Sequence, residues 1–119
     1  MNINKISQEK CIPCRRGAPL LTQEEIGILL PQIDEWIITK ENSIQRLKKG
    51  FSTSDFSETM NLANKIFELA ENEGHHPKIV VEWGRLEIEW WTHKIKGLHR
   101  NDFIMAAKTD QIIKDIASL

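Results

Sequence analysis

The residues in this chain best suited to proton chemistry are its four histidines: His75 and His76 are adjacent, and His93 and His99 follow. Imidazole titrates near neutral pH, so one ring can give and take a proton within a single cycle. A lone histidine on a sheet is ordinarily a surface or core polar residue. Three at one place are harder to dismiss, because neighbouring imidazoles disfavour each other's charge. A catalytic zinc centre, three histidines and a water, is the second chemistry open to such a set. Against it, adjacent residues in an extended chain point to opposite sides, so His75 and His76 chelate one tetrahedral ion awkwardly. Metal-free acid–base work is therefore the favoured reading, with neither metal nor cofactor expected.

Whether the histidines meet depends on a hairpin. Residues 78–83 and 86–92 read as two strands joined at Gly84-Arg85. A glycine at the first central position suits a two-residue type II′ turn. That turn sets Trp83 against Leu86, Val81 against Ile88 and Ile79 against Trp90, one wholly apolar face. Extended backwards, the same register puts His76 directly opposite His93 on the polar face, ~5 Å apart at Cβ. Trp91 lies on that face as well, as a surface for stacking a ligand or for subunit packing. His75 precedes the regular strand, so alternation does not place its ring.

The other elements supply the scaffold. Thr22 can cap a helix, with Glu25 completing a capping box and Leu21 and Ile26 at the staple positions; Pro31 obscures where that helix ends. Residues 35–40 and 43–48 form a hairpin around Glu41-Asn42. A helix over 52–71 carries Phe56, Met60, Ala63, Phe67 and Ala70 on one face, closed by Gly74 and Pro77. A last helix runs from Asn101 or Asp102 to 117. The order α-β-β-α-β-β-α implies an α+β fold, a four-stranded antiparallel sheet with three helices packed on one face. The opposite face is then left for water, a ligand or a second subunit.

Bulk properties exclude several classes. With 119 residues there is room for one domain, here 20–119, preceded by an irregular arm, 1–19. A formal net charge of -1 shows no nucleic-acid footprint. No apolar run approaches the ~20 residues of a membrane span, and the polar first residues do not resemble a secretory signal. Cytoplasmic localisation is the expectation. Cys11 and Cys14 form a lone C-x-x-C in the arm, without the second pair of a zinc ribbon or the βαβ setting of a redox site.

The run Glu71-x3-His75-His76-Pro77-x5-Trp83-x9-His93-x8-Asp102 resembles the pterin-4a-carbinolamine dehydratase family. Weaker similarity, including Trp36 and the Ser54-Asp55-Phe56 helix start, extends it over about 20–119. The resemblance implies a hydro-lyase that dehydrates 4a-hydroxytetrahydropterin to quinonoid dihydropterin, with His75, His76 and His93 catalytic. It also implies a homodimer or homotetramer and a link to an aromatic amino-acid hydroxylase whose cofactor is recycled. His76 and His93 are assigned as the acid–base pair and His75 as the group binding substrate oxygen. Glu71, Pro77, Trp91 and Asp102 are supporting positions. Plainer readings stand beside them: Pro77 fixes strand entry, Asp102 caps the last helix, Glu71 is solvated, Trp83 is core and His99 is a surface residue. The competing function is a non-enzymatic dimerisation or transcriptional coactivator module of the same fold.

Overall fold

In a computed structural model, which describes residues 6–12 and 16–117, two hairpins merge into one antiparallel sheet. The strands are β1 (Ile37–Glu41), β2 (Ile44–Ser52), β3 (Lys78–Glu82) and β4 (Arg85–Trp90), ordered β1-β2-β4-β3. Three helices, α1 (Gln23–Leu29), α2 (Phe56–Glu73) and α3 (Arg100–Ala117), interleave with them in the expected α-β-β-α-β-β-α order. Leu47, Leu86, Ile88 and Trp90 of the central strands are completely buried, in one core with Ile26 and Leu29 of α1, Ile66 of α2 and Phe103 of α3. Burying such side chains supplies ~1.5–3 kcal/mol each. The other face of the sheet carries charge, with Arg46 paired to Glu89 at 3.3 Å and Lys48 to Glu87 at 3.5 Å.

Local signals account for the element ends. The Thr22–Glu25 capping box is formed in both directions, at 3.1 and 2.8 Å. Beyond α1 the chain tightens into a 3-10 turn, Leu30–Gln32, holding Pro31 where no amide hydrogen is needed. The first hairpin turns at Asn42-Ser43, one residue later than Glu41-Asn42. Both residues have positive φ, 52° and 66°, as a type I′ turn requires.

Two expectations are overturned. In the second hairpin Lys78 pairs with Glu89, Ile79 with Ile88 and Val81 with Leu86, two positions away from the expected register. The turn is Trp83-Gly84, with the positive φ of 78° at the second central residue, Gly84. A shift of two keeps each side chain on its face. It does put Trp83 in the turn itself, where it is 73% exposed and not part of the core. The buried stripe of α2 also differs. The helix begins at Phe56, later than the expected 52, and Asp55 caps it through Glu58 N–H at 2.8 Å. The residues packed inward are Thr59, Leu62, Ala63, Ile66 and Ala70, while Phe56, Met60 and Phe67 face outward. Bulky apolar residues outweighed Leu62 and Ile66 in the sequence pattern, yet the sheet sits on the latter.

Candidate active site

The end of α2 delivers the first two histidines. Gly74, at φ 67°, takes the left-handed conformation that ends a helix, and its N–H and that of His75 both donate to Ala70 O. His75 and His76 follow at once, and Pro77 holds His76 extended before β3 begins. His93 comes from the opposite side, opening a 3-10 turn (His93–Ile95) after β4. Backbone hydrogen bonds between Thr92 and Gly97, at 2.8 and 3.4 Å, close that loop at its base.

His76 and His93 are therefore not cross-strand partners. The β3–β4 ladder stops at Lys78–Glu89, and His93 lies beyond the strand in a loop. The three rings meet instead in a cleft of about 550 Å³ between the C-terminal end of α2 and the N-terminal end of α3. The cleft is lined by His75, His76 and His93 together with Glu73, Thr92, Lys94 and Asn101. It opens at the helix ends and not on the charged face of the sheet, where a shared polar face was expected to hold the rings.

Each of the adjacent histidines is held through Nε2 by a carboxylate. His75 Nε2 lies 2.6 Å from Asp102 Oδ1, and His76 Nε2 lies 2.7 Å from Glu71 Oε2. The two settings differ sharply. Asp102 is completely buried, and its Oδ2 also accepts the Thr92 hydroxyl at 2.8 Å and the His99 N–H at 2.9 Å. The His75 ring is stacked almost parallel on buried Trp90, at 5.7 Å and 8°. His76 and Glu71 form an open pair, their side chains 60% and 57% exposed. In both rings the held Nε2 leaves Nδ1 for a ligand.

Asp102 thus caps the last helix, as expected, and orients a histidine as well. By accepting from His99 N–H it closes the first turn of α3, and with its other oxygen it orients a histidine. His99 is half-buried and caps the same helix, accepting the Asn101 N–H on Nδ1 at 3.0 Å. Trp91 is engaged within its own chain: His93 stacks with the indole at 4.5 Å and the Arg46 guanidinium carbon lies 3.9 Å from its centre.

Several contributors carried no readable signal. Thr92 falls at an unspecified position of the motif, next to His93. Cys11 and Ile12 come from the arm and also line the cleft, Cys11 N–H donating to Glu73 at 3.0 Å. Burial, and then the charges of Glu73 and Asp102, push the Cys11 thiol up to about 12. Cys14, its partner in the C-x-x-C, lies outside the described residues. Among the described residues no three His, Cys, Asp or Glu side chains are grouped to hold a metal ion, and no helix is long and apolar enough to cross a membrane.

Comparison with known proteins identifies the family, and its solved relatives carry more than one role. Residues 19–112 match the model of a family described as pterin 4 alpha carbinolamine dehydratase. A protein of Chlorobium luteolum, provisionally named pterin-4-alpha-carbinolamine dehydratase, is 44% identical over 96% of this chain and all of its own. One of Syntrophotalea carbinolica, under the same provisional name, is 48% identical over 94% of this chain and all of its own. Among solved structures, a transcriptional coactivator/pterin dehydratase from Brucella melitensis superposes with a TM-score of 0.70 at 26% identity, over 79% of this chain and 98% of that one. A pterin dehydratase-like RuBisCO assembly factor of the alpha-carboxysome shares the fold, with a TM-score of 0.56 at 20% identity over 66% of this chain and 88% of that one.

Proposed function

The chain belongs to the pterin-4a-carbinolamine dehydratase family, and from that premise we propose that it dehydrates 4a-hydroxytetrahydropterin to quinonoid dihydropterin with its own histidines. The observation that carries this reading is the convergence of His75, His76 and His93 on one cleft, two of them anchored by carboxylates. A volume of about 550 Å³ lies in the range of small-molecule sites.

Elimination needs a proton delivered to the hydroxyl leaving C4a and another removed from a ring nitrogen. His76 and His93 are exposed at the cleft, where they exchange protons readily with water, and are assigned as the acid–base pair. Each such transfer is worth ~10²–10⁴-fold in rate. His75, fixed by Asp102 and Trp90, has one orientation and is assigned to hold the substrate oxygen through Nδ1. The quinonoid dihydropterin released still needs two electrons from a separate reductase to become tetrahydropterin, so dehydration is one step in recycling the cofactor of an aromatic amino-acid hydroxylase. Assembly into a homodimer or homotetramer belongs to the same reading, and the outward stripe of Phe56, Met60 and Phe67 on α2 favours subunit contact.

The test is dehydration of chemically generated 4a-hydroxytetrahydropterin by wild type, His76→Ala and His93→Ala, with and without a chelator. Chelator-resistant activity that collapses in both variants is expected. No activity above the spontaneous rate in folded wild type would overturn the enzyme reading in favour of a coactivator or other binding module. Activity lost only with the chelator would move the mechanism to zinc.

A further inference from the structure

The cleft has a wall outside the stretch matched to the family. That match begins at residue 19, yet Cys11 and Ile12 line the same cavity as the three histidines. The arm reaches this place through contacts with distant parts of the chain. Ile6 is 4% exposed within the core, and Lys108 Nζ donates to Ser7 O at 2.8 Å. Glu9 receives two hydrogen bonds from Arg100, at 2.9 and 2.7 Å. Asn101, 2% exposed, commits both ends of its amide to one arm residue: Oδ1 accepts Ile12 N–H at 3.1 Å and Nδ2 donates to Ile12 O at 2.7 Å.

These anchors are not scattered. Glu73 lies two residues before His75, and Arg100 and Asn101 immediately precede Asp102. The arm is thereby fastened to the two helix ends that set the histidine geometry. A side chain that is buried and polar is held to its partners, because an unmatched amide in such a place is costly. Asn101 spends its amide wholly on the arm's backbone, which fixes Ile12 while leaving the Ile12 side chain 62% exposed.

We propose that Cys11 and Ile12 form a fixed apolar wall of the substrate cleft, with Ile12 a specificity-determining residue and Asn101 the residue that positions it. The inference rests on the pterin dehydratase reading and deepens it. A pre-positioned wall strengthens substrate binding without touching the reacting atoms, so it acts on KM and leaves kcat. An uncharged alkyl group at the wall selects by the size of the pterin's substituent, since an apolar contact discriminates by shape and area.

The experiment is steady-state dehydration by wild type, Ile12→Ala, Ile12→Trp and Asn101→Ala, with 4a-hydroxytetrahydrobiopterin and its 6-methyl counterpart as probes. Ile12→Ala and Asn101→Ala are expected to raise KM by about 3- to 10-fold with kcat within about twofold. Ile12→Trp is expected to penalise the larger substituent more than the methyl. Asn101→Ala also frees the arm, which brief trypsin treatment reads as faster cleavage after Lys10. KM unchanged in Ile12→Ala, or a fall confined to kcat, overturns the wall in an enzyme that is otherwise active. A wild type with no activity overturns the dehydratase reading itself, and the wall with it.

Discussion

The Nε2 atom of His75 sits 2.6 Å from Oδ1 of Asp102, a carboxylate with no exposed surface, while the far oxygen of that carboxylate accepts from Thr92 and His99. One buried group thus fixes the tautomer of a histidine, the base of its loop and the first turn of α3.

Asp102→Asn tests that arrangement. Asparagine offers one acceptor oxygen where three donors now converge, so its NH2 must face a donor or force the imidazole into the other tautomer. Dehydration is expected to fall by ~10²–10⁴-fold in kcat, as for other carboxylate-oriented imidazoles. The unmatched buried donor is expected to cost about 1–3 kcal/mol in urea unfolding. An unchanged kcat with lowered stability would reduce Asp102 to a structural role.

The Arg46–Trp91–His93 contacts predict a second effect. Arg46 lies over the indole, pairs with nearly buried Glu89 at 3.3 Å, and reaches exposed Glu41 at 3.2 Å. Its buried Nε has no hydrogen-bond partner among the described residues, so the planar group is held by charge and by the ring. Arg46→Met is expected to destabilise by about 2–4 kcal/mol, because among the described residues Glu89 then keeps only Lys78 as an ion-pair partner, at 3.7 Å. The His93 ring signals in NMR should shift as the indole loosens. A shift absent despite the lost stability would disconnect Trp91 from His93.

Asp110 gives a pH signature far from the cleft. Burial raises its carboxyl above the ordinary range, despite hydrogen bonds from Lys49 and Trp36 that act the other way, and Asp34 nearby adds to the rise. The unfolded chain releases this proton first as pH increases. Stability is therefore full below the ordinary aspartate value of ~3.9 and declines until pH passes the raised value. Urea midpoints of wild type measured relative to Asp110→Asn should fall across that window and level off above it. A difference that rises with pH would mean the Lys49 pairing outweighs burial.

Cys11 should be inert. With its thiol pushed up to about 12, almost none is thiolate at pH 8. In a Cys14→Ser protein, iodoacetamide is expected to modify Cys11 at least ~100-fold more slowly than a free thiol of ordinary pKa. Rapid alkylation would show that the arm leaves the cleft, and faster reaction in Asn101→Ala than in wild type would identify its fastening.

Much of this architecture follows from neighbours in sequence. The Thr22–Glu25 box, the two hairpins and the alternation of strands with helices depend on contacts a few residues apart, which spacing encodes directly. The histidine run with Glu71 and Asp102 was likewise legible, because those residue types at fixed gaps carry the family resemblance. Register was less so. Trp83-Gly84 and Gly84-Arg85 both place a glycine of positive φ in a two-residue turn, and the pairing of Glu82 with Arg85 tells them apart. The same limit applies to α2, where Phe56 and Phe67 fit a helical stripe as well as Leu62 and Ile66 do, and packing on the sheet decided between them. The arm lay wholly beyond reach. Its bonds from Ile12 to Asn101 and from Glu9 to Arg100 join opposite ends of the chain, and no periodicity records a contact made only once the helices have brought those ends together.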